Sequence, residues 1–168
     1  MSKQIKSKER VSKFGEVFTN EREVKAMCDL VHDEIKRIDS KVLEPACGNG
    51  NFLVEILSRK LLFINEVYSD IKDYELKSLQ AISSIYAIDI LNDNVLESRK
   101  RMYDIWFENY KNIANKFNVK PRDIIIKNVH TILDYNIICG NFLTMLGSVG
   151  EPIKFLEWDW VSEVNNEI

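Results

Sequence analysis

The chain has 168 residues, 45% hydrophobic and 29% charged, with a formal charge of −3. That length supports one domain with its own core, and no apolar run approaches the roughly 20 residues of a membrane helix. The acidic balance argues against tight, unaided DNA binding, which phosphate neutralisation supplies.

The elements follow in chain order. Met1–Lys13 carries Lys3, Lys6, Lys8, Arg10 and Lys13 against Glu9 alone. It reads as a basic N-terminal arm over residues 1–13, either solvated and mobile or aimed at phosphate, ahead of one domain over 14–168. Asn20–Ile38 is expected to be one helix, with Val24, Met27, Cys28, Val31, Ile35 and Ile38 on one face and a capping box from Asn20 and Glu23. Lys41–Ala46 reads as a short buried strand, and Phe52–Phe63 as a helix. Glu66–Gln80 is polar and mixed, a helical excursion or a loop. Ile85–Ile90 is the next strand. Asn92 and Asp93 start a long helix to about Lys116, with Val95, Leu96, Met102, Trp106, Tyr110 and Ile113 inward. A helix after Pro121 uses Ile125, Val129, Ile132 and Leu133. Ile137–Cys139 is a third strand, ending at Gly140-Asn141-Phe142, and the aromatic tail from Ile153 to Trp160 has the makings of one more. Strands alternating with helices imply an α/β fold with a parallel, doubly wound sheet.

The chemistry concentrates at the strand ends, where such folds bind ligands. Glycines let backbone approach a ligand closely, and Gly48 and Gly50 follow the first strand. A dinucleotide fingerprint needs a glycine where Leu53 stands, and Gly48-Asn49-Gly50 lacks the Lys-Ser or Lys-Thr of a P-loop. Glu44, just before the turn, would repel a phosphate. It suits a ligand bearing an ammonium and a sulfonium, such as S-adenosylmethionine (SAM). Asp89 sits where an acid can accept from ribose hydroxyls. Asn141 and Phe142 sit where an amide and a ring can meet adenine.

No other catalyst is evident. His32 and His130 lack metal-ligand spacing, and no metal site is expected. Cys47 reads as a small residue in a tight turn, and Arg99-Lys100-Arg101 as a solvated helix face with a weaker case for nucleic acid. Three widely spaced cysteines, Cys28, Cys47 and Cys139, argue for reduced thiols and a cytoplasmic setting, and the N-terminus lacks a secretory apolar segment.

These segments, in this order, resemble the N-terminal part of N6-adenine DNA methyltransferases, especially the gamma-type enzymes of restriction-modification systems. Phe14–Thr19 resembles the segment that meets the methionine end of SAM, with Thr19 at a hydroxyl position facing its carboxylate. Leu43–Phe52 resembles the glycine-rich SAM loop, which assigns Glu44, Pro45, Ala46, Cys47, Gly48, Asn49, Gly50 and Phe52 to the cofactor. Asp89 and Ile90 match the ribose-acid strand end, Asn141 and Phe142 the third strand end, and Pro152–Trp160 the stretch before the catalytic motif. The resemblance implies a Rossmann-like SAM-dependent methyltransferase fold, incomplete here, with its first three strands plus a tail. Two positions depart from the family: Asn141 stands where Asp is usual and Asn20 where Pro is usual.

The family flips adenine into a pocket and positions its amine with an Asn-Pro-Pro-aromatic loop. Pro45, Pro121 and Pro152 are the three prolines, none adjacent to another, so these residues contain no such loop. The expectation is a SAM-binding portion inactive alone, with no catalytic residue of its own. It would reach DNA only through a missing C-terminal part or partner. It would be a fragment, a truncated product or half of a split enzyme, and prone to self-associate or pair with a second polypeptide through an exposed central strand. A non-catalytic SAM-sensing or protein-interaction module is the alternative. RNA or protein glutamine as the substrate is a third reading within the enzyme class.

Overall fold

The computed structural model describes residues 4–160. Met1–Lys3 of the basic arm and residues 161–168 lie outside the described residues. The elements are α1 (Lys8–Phe14), α2 (Glu21–Leu30), α3 (His32–Ile35), β1 (Val42–Glu44), α4 (Asn51–Val67), α5 (Ile71–Ser83), β2 (Ile85–Asp89), α6 (Asn92–Lys116), α7 (Asp123–Asn136), β3 (Ile137–Asn141) and β4 (Leu146–Gly147). The described residues form a sheet in the order β1-β2-β3-β4. β1, β2 and β3 run parallel, with Val42 opposite Ile85 and Ala87 opposite Ile137. β4 is antiparallel to β3. This is an α/β fold with a mostly parallel sheet.

Strand alternation divides the sheet into two faces. Ile85 and Ala87 join Ile137 and the inward residues of α4 to α7 in one core. Tyr86 points the other way and meets Phe155 edge-on, with ring centroids 5.1 Å apart. Helices thus cover one face, and the irregular segment after β4 crosses the other.

α6 runs over Asn92–Lys116 as its periodicity requires, burying Val95, Met102, Trp106, Tyr110 and Ile113; Leu96, expected inward, is exposed. α7 buries Ile125, Val129, Ile132 and Leu133. The Asn20–Glu23 capping box is present, but the expected single helix breaks at Val31. The break leaves Val24, Cys28 and Ile35 in the core and Met27 and Val31 exposed. The ambiguous stretch holds a full helix, α5, capped by Asp70, whose side chain accepts from the Lys72 and Asp73 N–H groups. Its inward face includes Glu75 and Ser78, which disguised the pattern. Glu75 meets Tyr110 Oη and Arg122, and Ser78 Oγ accepts from Trp106 Nε1 at 3.1 Å.

Three other expectations change. β1 is not buried: it pairs with β2 alone among the described residues, and Leu43 is 45% exposed. The tail forms no strand beyond a single bridge from Pro152 to Leu146. It is anchored through its tryptophans instead, with Trp158 Nε1 donating to Asn136 Oδ1 at 2.8 Å and Trp160 Nε1 to Ser83 Oγ at 2.9 Å. The basic arm is not loose over Lys6–Lys13. It contains α1, and its cations turn inward, Lys6 onto Asp93 and Glu97 and Arg10 onto Glu16 and Asp93. No described helix is long and apolar enough to cross a membrane.

Candidate cofactor site

β1 and β2 deliver their C-terminal ends to the same side of the sheet, and the turn after β1 closes there. Gly48 (φ +54°) and Gly50 (φ +84°) both take left-handed conformations that disfavour a side chain. Both are also crowded. A Cβ on Gly48 would lie 3.0 Å from the Phe18 ring, and one on Gly50 would lie 2.8 Å from Ser98 Oγ. The turn is held from outside as well. Arg101 Nη1 donates to Asn49 O at 2.6 Å and Asn51 Oδ1 at 2.8 Å, and Ser98 Oγ donates to Gly48 O at 3.0 Å. Arg101 is therefore a brace for the loop, and Arg99 bonds Asp134 and Ile137 O at the entrance to β3. Neither is the solvated cation expected from sequence.

Beneath the turn lies a hollow of about 380 Å³, within the range of small-molecule sites. Of the residues expected at the cofactor, Pro45, Ala46, Gly48, Asp89, Ile90, Asn141 and Phe142 form its walls. Thr19, Glu44, Cys47, Asn49, Gly50 and Phe52 do not. Thr19 O accepts from Asn51 Nδ2, and Glu44 Oε1 accepts from the Ala46 N–H at 3.3 Å. Burial raises the Glu44 pKa. Burial likewise pushes the Cys47 thiol up to about 12, with Ser98 Oγ 3.7 Å away, so it is an inert packing group. Phe52 packs against the core.

The remaining walls come from Phe14–Phe18, Leu91, Asn94, Gly140 and Leu143. Phe14–Phe18 belongs to the segment whose resemblance singled out only Thr19. Two carboxylates face the hollow, those of Asp89 and Glu16, 7% and 8% exposed, and no lysine or arginine does. Burial opposes ionisation of Glu16, but hydrogen bonds from Arg10 and Asn94 outweigh it and hold its pKa below the usual range. The repulsion of phosphate that the sequence assigned to Glu44 thus belongs to Glu16 and Asp89. Ile90 and Phe142 supply exposed apolar surface at the rim. Asn141 Oδ1 already accepts from the Leu143 N–H at 2.9 Å, leaving one lone pair and its Nδ2 donors.

His130 stacks on Tyr103 with centroids 4.4 Å apart, and His32 lies against Arg59; neither lines the hollow. No cluster of metal-ligating side chains occurs among the described residues. Glu16, Asn94, Ser98 and Arg101 were missed in the sequence. Each meets the loop or Asp89 across tens of residues, a separation that carries no local signal.

Over 135 residues the chain is 25% identical to a putative type II restriction enzyme and methyltransferase of Methanocaldococcus jannaschii. Those residues are 78% of this chain and 10% of that protein, so the chain spans about a tenth of its relative. No family model matches the chain, and no solved structure does. The similarity relates this α/β chain, with ligand-sized hollow and braced glycine turn, to a methyltransferase of restriction-modification type.

Proposed function

We propose that the chain is the SAM-binding portion of an N6-adenine DNA methyltransferase of a restriction-modification system, with a Rossmann-like fold, and that methyl transfer needs residues beyond these 168. The observation that carries the reading is the convergence of the Gly48 turn, Asp89–Ile90 and Asn141–Phe142 with Phe14–Phe18 on one hollow. The donor set fits an adenosyl sulfonium ligand. The walls offer carboxylates and no cation, which favours hydroxyls and positive charge over phosphate, while Ile90 and Phe142 offer faces for a base. The bound cofactor would supply an electrophilic methyl group. Asp89 and Glu16 would orient the sugar, and the Gly48 backbone would let the ligand approach the sheet.

The absence of any Asn-Pro-Pro from the sequence leaves no acceptor pair to draw the adenine amine into line. Calorimetry with SAM tests the reading. We expect binding by the wild type and none by Gly48→Asp. We expect no methylation of adenine-containing duplex by the pure chain. Unaltered affinity in Gly48→Asp overturns the loop assignment, and methyl transfer overturns the dependence on further residues.

A second reading, a protein-interaction module on the same fold, is favoured by one observation. An apolar groove of about 320 Å³ runs beside the free side of β1, lined by Leu43, Tyr86, Phe155 and Leu156. Absence of SAM binding together with a stable partner complex would select it.

A further inference from the structure

Asp89 is where the sequence puts the acceptor for a sugar's neighbouring hydroxyls, yet most of its carboxylate is already engaged. Oδ2 accepts from the Gly48 N–H at 2.8 Å, and Oδ1 from the Leu91 N–H at 2.9 Å and from Asn94 Nδ2 at 3.1 Å. An ionised carboxylate has about four acceptor positions, so about one remains. A vicinal diol brings two O–H donors.

The second acceptor is Glu16. Its Oε1 accepts from Arg10 Nη2 at 2.6 Å and Asn94 Nδ2 at 2.7 Å, and its Oε2 from Arg10 Nε at 2.6 Å. It too keeps about one open position. The Asn94 amide nitrogen lies between the two carboxylates and bonds both, which holds their acceptor oxygens within about 6 Å of each other. Two O–H···O bonds of about 2.7 Å each span most of that separation. Both carboxylates line the same hollow.

We propose that the two hydroxyls of the ligand's ribose are divided between Asp89 and Glu16, with Asn94 fixing the spacing, so that Glu16 is a specificity-determining residue for a cis-diol. The inference rests on the adenosyl reading above and adds to it a group outside the glycine loop and the strand ends. Arg10 holds Glu16 ionised and acceptor-only, so a hydroxyl meets it as a charge-assisted bond. A deoxy ligand leaves one buried acceptor position without its partner, and discrimination of that kind is stronger than discrimination by shape. A phosphate on either hydroxyl would face two carboxylates.

The test is calorimetry with S-adenosylhomocysteine and its 2′-deoxy and 3′-deoxy analogues on the wild type, on Glu16→Met, and on the pair Arg10→Met/Glu16→Met, which leaves no unpaired guanidinium behind. In the wild type each missing hydroxyl should weaken binding by about tenfold or more. In both Glu16 variants one of the two penalties should fall below about threefold while the other persists. Two full penalties in a Glu16 variant that still binds overturn the division of the diol and leave the adenosyl reading standing. Failure of the wild type to bind S-adenosylhomocysteine overturns both. Should neither variant fold, the wild-type penalties decide: two support the division, and indifference to either hydroxyl sinks it.

Discussion

The backbone N–H of Gly48 donates to Asp89 Oδ2 at 2.8 Å, joining residues 41 apart in the chain, so the end of β2 fixes the turn that follows β1. The same carboxylate accepts from the Leu91 N–H and Asn94 Nδ2 at the start of α6. Asp89 is a structural tie before it meets any ligand. Replacing it with alanine should lower stability by about 2–3 kcal/mol, since three donors lose a charged acceptor, and should remove SAM binding with it. Urea denaturation checks this, and a wild-type midpoint would show that the tie carries no energy.

Gly50→Ala should be more damaging than its size suggests. The new methyl must adopt φ near +84° and sit 3.1 Å from the Ser98 Cα, a backbone atom that cannot swing away. Strain and overpacking together should cost about 2–4 kcal/mol, read as a fall in the thermal midpoint. Ser98→Gly relieves only the crowding, so the double variant should recover part of the loss.

Arg101→Met tests whether the glycine turn is preorganised. Removing the guanidinium frees Asn49 O and Asn51 Oδ1 at the surface of the loop. Affinity for SAM should drop by roughly tenfold through the ordering then required on binding, with little change in the thermal midpoint. Equal affinity in the two proteins would show that Ser98 and Asp89 hold the turn unaided.

Acid should release α1. Hydrogen bonds from Arg10 hold the Asp93 pKa down at about 2, and Glu16 too ends below its usual range despite its burial. Both folded values lie below the unfolded ones, about 4. Their contribution is therefore complete above about pH 5 and is lost as the pH falls toward 2. α1 buries none of its own residues, so these ion pairs are what attach it. Arg10→Met should cost about 2 kcal/mol at pH 6, because it strands a buried carboxylate. The difference from wild type should shrink at pH 2.5, as thermal melts at the two pH values will show.

The free side of β1 should associate. Among the described residues β1 has one strand neighbour, and Leu43 and Leu156 are exposed beside it. An unpaired parallel strand with apolar flanks invites another chain. Sedimentation at micromolar concentration should give a mass above the 19.6 kDa of one chain, and Leu43→Lys should lower it toward that value. A concentration-independent monomer would count against the prediction.

The helices that declared themselves did so through periodicity. α6 and α7 bury the stripes their spacing marked, with Leu96 the exception, and α2 carries the expected capping box. Patterning failed where polar residues face inward, as Glu75 and Ser78 do in α5, because their partners Tyr110, Arg122 and Trp106 lie on other helices. It failed again at β1 and the tail, where an apolar run looks the same whether a second layer covers it or not.

By itself the sequence determined the alternation of strands and helices, the glycine turn, and the acids and amide at the strand ends, since each depends on residue types at short spacing. Only the tertiary structure decided which of those groups share a wall. It put Glu16 into the hollow and Glu44 outside it, turned Arg101 into a brace and drew Lys6 and Arg10 out of the solvent. The reason is physical: a hydrogen bond or ion pair is fixed by distances between chain segments brought together only when the core closes, and nothing in the local pattern of either segment records its partner.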